Sequence, residues 1–155
     1  MTTYKLVNPN DGMEALETKV SHPSVFLGGN CRGRDWRHDV FRKFERANVT
    51  FINPRRDAFP DPEATPVEHA EQVLWERKAI EAADIALFWL GEGLANQASR
   101  VEIGYAIGQG KKVIIGAEPG FLGLEHLSAF SGLVLSSSLE GLLTRLESLI
   151  YSSAE

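Results

Sequence analysis

Short apolar runs alternate with longer amphipathic stretches along the chain. Ser24–Leu27, Val49–Ile52, Ile85–Gly91 and Lys112–Gly116 are each bounded by Gly, Pro, Asn, Asp or Lys, and Leu133–Leu135 is a shorter run of the same kind. Short apolar runs between turn residues read as buried strands. Tyr4–Val7 reads as a short extra strand, and Asn8-Pro9-Asn10-Asp11-Gly12 is a turn by its chemistry.

The stretches between the strands carry a helical period. After the loop Asn30–Asp35, a helix to about Ala47 puts Trp36, Val40, Phe41 and Phe44 on one face. Thr65-Pro66-Val67-Glu68 is a capping-box helix start. That helix should run to about Ala83, with Val73, Ile80 and Ala83 inward and Trp75 and Glu76 near its middle. Ser99 reads as the N-cap of the next helix, which places Glu102 in the first turn, with Gly108 and Gly110 as stops. Phe121–Phe130 is a short helix or a lid. Ser137-Ser138-Leu139-Glu140 opens a last helix with Leu142, Leu143, Leu146 and Ile150 on its core face.

Strands alternating with helices predict an α/β fold. The expectation is a single domain over residues 1–155, with 1–23 as an N-terminal extension that adds a strand. Five strands suit a flavodoxin-like, Rossmann-like three-layer sandwich with a mostly parallel sheet. Its site would lie outside the carboxyl ends of the first and third core strands, which gathers Gly28 to Arg34, the loop Gly91 to Ala98, and Glu102 around one crevice.

Composition narrows the function. With 43% hydrophobic and 24% charged residues over 155 positions, the chain is ordinary for a globular protein. A net charge of -5 argues against binding a nucleic-acid polymer. A lone cysteine, Cys31, predicts a reducing, cytoplasmic setting. No apolar run approaches the roughly 20 residues of a membrane span, and residues 1–20 lack the apolar core of a signal peptide. Four scattered histidines give no metal-ligand spacing. No Walker, GxGxxG or GxSxG pattern is present, so neither metal nor cofactor is expected.

The acids and arginines each have two readings. Ser99-x-x-Glu102 is formally a capping box, yet a carboxylate at a helix N-terminus is also held ionised, as a nucleophile needs. Glu76, beside Trp75, and Asp84, before the third core strand, are either solvated acids or members of a catalytic set. Arg32, Arg34 and Arg37 either grip a phosphate or carboxylate by forked bonds or form a solvated helix start. Cys31, with no histidine near it in sequence, reads as a passive small residue.

Three blocks carry a resemblance: Val25-Phe26-Leu27-Gly28-Gly29 with its arginine-rich loop, Trp75-Glu76 before Ala83-Asp84-Ile85, and Val101-Glu102-Ile103-Gly104-Tyr105-Ala106. Over about residues 24–117 the chain resembles the nucleoside 2-deoxyribosyltransferase family and its relatives that hydrolyse 2'-deoxynucleoside 5'-monophosphates. The resemblance implies an N-glycosidic reaction through a covalent glycosyl-enzyme, with Glu102 as nucleophile and Glu76 as the acid for the leaving base. Asp84 completes the implied catalytic set. Asn96 would meet the sugar hydroxyls, and Arg32 and Arg34 a 5'-phosphate. Gly28, Gly29, Asn30, Trp75 and Ser99 fall in the implied substrate-binding blocks, with Trp75, Trp89 and the Pro-rich loop 54–66 forming an apolar wall over the base. A homodimer or higher oligomer is implied too, and three tryptophans point the same way. Phe26 stands where the family has a tyrosine whose hydroxyl orients the glutamate. A non-catalytic nucleoside- or nucleotide-binding module on the same scaffold is the second expectation.

Overall fold

In the computed structural model, described over residues 3–18, 21–55, 66–93 and 96–152, five parallel strands form one sheet in the order β1-β3-β2-β4-β5. They are β1 (Lys5–Val7), β2 (Ser24–Gly29), β3 (Thr50–Ile52), β4 (Ile85–Leu90) and β5 (Lys112–Ala117). The helices are α1 (Glu14–Glu17), α2 (Arg37–Lys43), α3 (Pro66–Ala82), α4 (Gln97–Gly108), α5 (Leu124–Ser131) and α6 (Leu139–Ser152). The architecture is the expected α/β sandwich. The strand order reverses at β2, because β3 lies on one side of it and β4 on the other.

The strands are apolar on both faces because both are covered. Alternation along β2 sends Val25 and Leu27 to one layer and Phe26 to the other. The first layer packs against Trp36, Val40 and Phe44 of the α2 region and Leu142, Leu143, Leu146 and Ile150 of α6. The second packs against Trp75, Ala79 and Ile80 of α3, and Ile103 and Ala106 of α4. The core faces expected for the α2 segment and α6 are those observed. The α2 helix is shorter than its apolar pattern, ending at Lys43 with a turn to Ala47, whose amide donates to the Phe44 carbonyl at 3.0 Å.

Several expectations are corrected. Leu133–Leu135 forms no strand; Ser136 alone bridges to Gly116 of β5. Val134 is 81% exposed there, and its carbonyl accepts from Arg145 Nη1 at 2.8 Å instead of from a strand neighbour. The fifth strand is β1, and the sheet is parallel throughout. Val73 is exposed rather than inward, since Trp75, Ala79 and Ile80 define the buried side of α3. Ser99 is not an N-cap: α4 begins one turn earlier, after Asn96, which adopts a left-handed conformation at φ 48. Ser137 and Glu140 form no capping box either, because α6 starts at Leu139 and Ser138 Oγ accepts the Gly141 amide at 3.0 Å. Thr65 and most of the Pro-rich loop lie outside the described residues.

Candidate functional site

A cavity of about 730 Å³ opens at the carboxyl ends of β2 and β4, at the point where the strand order reverses. Its floor needs glycine. A Cβ on Gly28 would meet the Phe88 ring at 2.5 Å, and Gly29, at φ 116, would bring one within 2.1 Å of the Trp89 carbonyl. The strand end then turns through Asn30, whose amide donates to the Trp89 carbonyl at 2.8 Å and whose Oδ1 accepts the Arg32 amide at 2.9 Å.

Arg37 holds this turn from beneath. It is 0% exposed. Its Nε and Nη2 donate to the Leu27 carbonyl at 3.0 and 2.9 Å, and Nη1 donates to the Asn30 carbonyl at 3.1 Å. The guanidinium lies 4.5 Å from the centre of the Trp36 ring. Burial pulls its pKa down, while Cys31 and Asp35 push it back up. One reading of the three loop arginines had all of them gripping a ligand. The structure separates them: Arg32 is exposed at the crevice, Arg37 braces the wall, and Arg34 pairs with Asp39 at 2.7 Å away from the cavity lining. Cys31 lines the crevice, its thiol 3.6 Å from the Gly29 carbonyl.

Two carboxyl groups face the same space, Glu102 from α4 and Glu76 from α3. The Glu102 carboxyl is pushed up to about 8, first by burial, then by the charge of Glu76, with Arg37 opposing. The expectation that a helix N-terminus would hold it ionised is therefore corrected. Glu102 is the sixth residue of α4, beyond the first turn, where that influence fades. Gln72 Nε2 donates to Glu76 Oε1 at 3.2 Å. Across the crevice, Asn96, Gln97, Ala98 and Ser99 present the start of α4. Ser99 is 5% exposed, and Asn96 Nδ2 is buried without a hydrogen-bond partner.

Of the sequence candidates, Gly28, Gly29, Asn30, Arg32, Glu76, Asn96, Ser99 and Glu102 come together here. Asp84 does not. It sits before the amino end of β4, at the opposite end of the strands from the crevice, and its Oδ2 accepts from Ser24 N at 2.9 Å and Ser24 Oγ at 3.1 Å. Trp75 is 4% exposed and belongs to the core rather than the crevice. Trp89 is packed too, its ring under Gly116, so the two indoles form no wall over a ligand. Arg55, His69, Gln72 and Leu122 line the crevice and were given no site role from the sequence, although Asn53-Pro54-Arg55 is itself a stretch that resembles the family. For Gln72 a signal existed, since it lies one helical turn before Glu76 and so shares its face.

Among the described residues, no cluster of three His, Cys, Asp or Glu could hold a metal ion, and no helix is long and apolar enough to cross a membrane. No curated protein gives a significant match to the chain. A family model described as nucleoside 2-deoxyribosyltransferase like matches residues 22–121, a span that carries the whole crevice floor, both crevice glutamates and the start of α4. The chain belongs to the nucleoside 2-deoxyribosyltransferase-like family.

Proposed function

We propose that the crevice binds a 2'-deoxynucleoside or its 5'-monophosphate and breaks or exchanges the N-glycosidic bond, with Glu102 as nucleophile and Glu76 as acid. The observation that carries this reading is the pair itself: two glutamates from different helices share one crevice, and burial, with the charge of Glu76 added to it, raises the pKa of Glu102. Such a pair holds one proton between its members near neutral pH. When a nucleoside binds, that proton moves to Glu76 and leaves Glu102 ionised. The Glu102 carboxylate then forms a bond to the anomeric carbon as the bond to the base breaks. Glu76 delivers its proton to the departing base nitrogen. Water or a second base next attacks the glycosyl-enzyme, returns a proton to Glu76 and releases Glu102. Arg32 and the Ser99 hydroxyl supply donors suited to a 5'-phosphate, and the unpartnered Asn96 amide one suited to a sugar hydroxyl.

One observation favours the binding-module alternative. Phe26 is 0% exposed and packs on Phe88 with ring centres 6.0 Å apart, so it offers no hydroxyl to orient Glu102. Incubation with a panel of deoxynucleosides and deoxynucleotides, with and without free acceptor base, separates the two readings. The enzyme reading expects released or exchanged base, with Glu102→Gln folded and at least 100-fold slower, in the range set by loss of a covalent nucleophile (roughly 10²–10⁶-fold). Tight binding with no base released from any member of the panel would leave the module.

A further inference from the structure

In the reaction proposed above, the departing base lies against Glu76, so its surroundings are those of Glu76. Gln72 Nε2 donates both to Glu76 Oε1 at 3.2 Å and to the Pro54 carbonyl at 3.0 Å. Those two bonds tie the segment after β3 to the Glu76 side of the crevice. They bring Arg55, the residue after Pro54, into the same wall. The Arg55 amide donates to Asn53 Oδ1 at 3.1 Å, which fixes the backbone there. Its side chain is 18% exposed, and Nη1 is buried without a hydrogen bond. That nitrogen lies 3.3 Å from Asp35 Oδ1 but off the line of a hydrogen bond, and the same oxygen lies 3.8 Å from Arg37 Nη1, so one carboxylate faces two guanidiniums and the Arg55 donor stays unused. A buried donor without an acceptor is destabilising until a ligand supplies one.

We propose that Arg55 reads the nucleobase, and that it selects a base with two adjacent acceptors on one edge, as a 6-oxopurine such as hypoxanthine has. The inference rests on the N-glycosidic reading. A guanidinium presents parallel N–H groups that match two adjacent acceptors, and a 6-oxopurine offers O6 beside N7 on one edge. Adenine keeps N7 but turns an amino donor toward the arginine at position 6. Thymine has no two adjacent acceptors, since N3–H separates O2 from O4, whereas cytosine offers such a pair at O2 and N3. Of the two other unpartnered donors among the described residues, Trp75 Nε1 lies in the core, and Asn96 Nδ2 follows β4 whereas Arg55 follows β3. Those strands flank β2 on opposite sides, so Asn96 and Arg55 serve different parts of one ligand.

Free hypoxanthine and adenine differ at the edge in question and need no turnover, so calorimetry with each base is the test. The protein should bind hypoxanthine roughly 10- to 100-fold more tightly than adenine. Arg55→Met should bring hypoxanthine down to the level of adenine. Arg55→Lys keeps a charge beside Asp35 but not the fork, and should lose most of the preference, which guards against a misfolded Met variant. Cleavage of deoxyinosine should likewise exceed that of deoxyadenosine. Equal affinity for the two bases, no binding of either, or a preference that survives both substitutions overturns the assignment of Arg55. Discrimination that depends on Arg55, with no base released from any deoxynucleoside, would support the base site while overturning the reaction.

Discussion

Glu102 gives up ionisation to occupy its place in the crevice, and that makes it a stability probe as well as a nucleophile candidate. Its carboxyl has an ordinary value of 4.5 and is raised to about 8 in the folded protein, with burial the larger cause and Glu76 the second. Between those values the folded state keeps a proton that the unfolded chain has lost. The contribution of Glu102 to folding stability therefore falls as pH rises from 4.5 to about 8, then levels off. Glu102→Gln removes the titrating group. Discounting the full shift because the residue is only partly buried, the variant should exceed the parent by about 1–3 kcal/mol at pH 8.5, with the two converging toward pH 4. Urea unfolding across that range measures it. A gap between parent and variant that stays constant with pH would show that Glu102 is not titrating in this window.

At the scale of elements, the crevice is built from strand ends, and its geometry depends on how closely β2 approaches β4. Gly29→Ala tests this directly. The added methyl would collide with the Trp89 backbone, and φ 116 is closed to alanine. A loss of more than about 3 kcal/mol is expected, read from thermal or urea unfolding, whereas Gly33→Ala, which meets nothing within 4 Å, bears only the strain of its φ 74. The strands were legible in the sequence because a parallel sheet covered on both faces leaves uninterrupted apolar runs. The core face of α6 was legible because its leucines keep a helical period. Leu133–Leu135 has the same composition as a strand, and nothing local reveals that it has no ladder partner. Ser99 and Glu102 have capping-box spacing, but the left-handed Asn96 starts α4 a turn sooner. Within the site, Glu102 and Glu76 were legible from their blocks. Asp84 could have been excluded from order alone, since a residue before a parallel strand lies at the end away from the crevice. Trp75 was avoidable too: neighbours on a helix point about 100° apart, so a crevice-facing Glu76 turns Trp75 toward the sheet. Which of three loop arginines would be buried was not written in their spacing.

Across the whole molecule, a few large apolar side chains stay exposed at or near the crevice. Val73, Val101 and Leu122 are 48%, 74% and 54% exposed, and Val73 and Leu122 line the opening. The compositional argument for an oligomer from the tryptophans falls away, because Trp36, Trp75 and Trp89 are all buried. The exposed apolar side chains take its place. A dimer or higher oligomer meeting at these side chains is the expected state, and Val101→Lys should weaken it by placing a charge at a dry contact. Sedimentation velocity at micromolar concentration decides the matter; a monomer throughout, with undiminished activity, would exclude a site shared between copies. One further feature bears on the molecule's behaviour in a crowded solution. Strand β1 pairs with β3 along Lys5–Thr50, Leu6–Phe51 and Val7–Ile52. Without it, β3 would present a bare row of amides and carbonyls to any passing chain. With it, the outer margin is a three-residue strand bearing an exposed lysine, too short to template the addition of another. Those few residues act as a selvedge for the sheet: what they protect is solubility, by keeping one molecule from being stitched to the next.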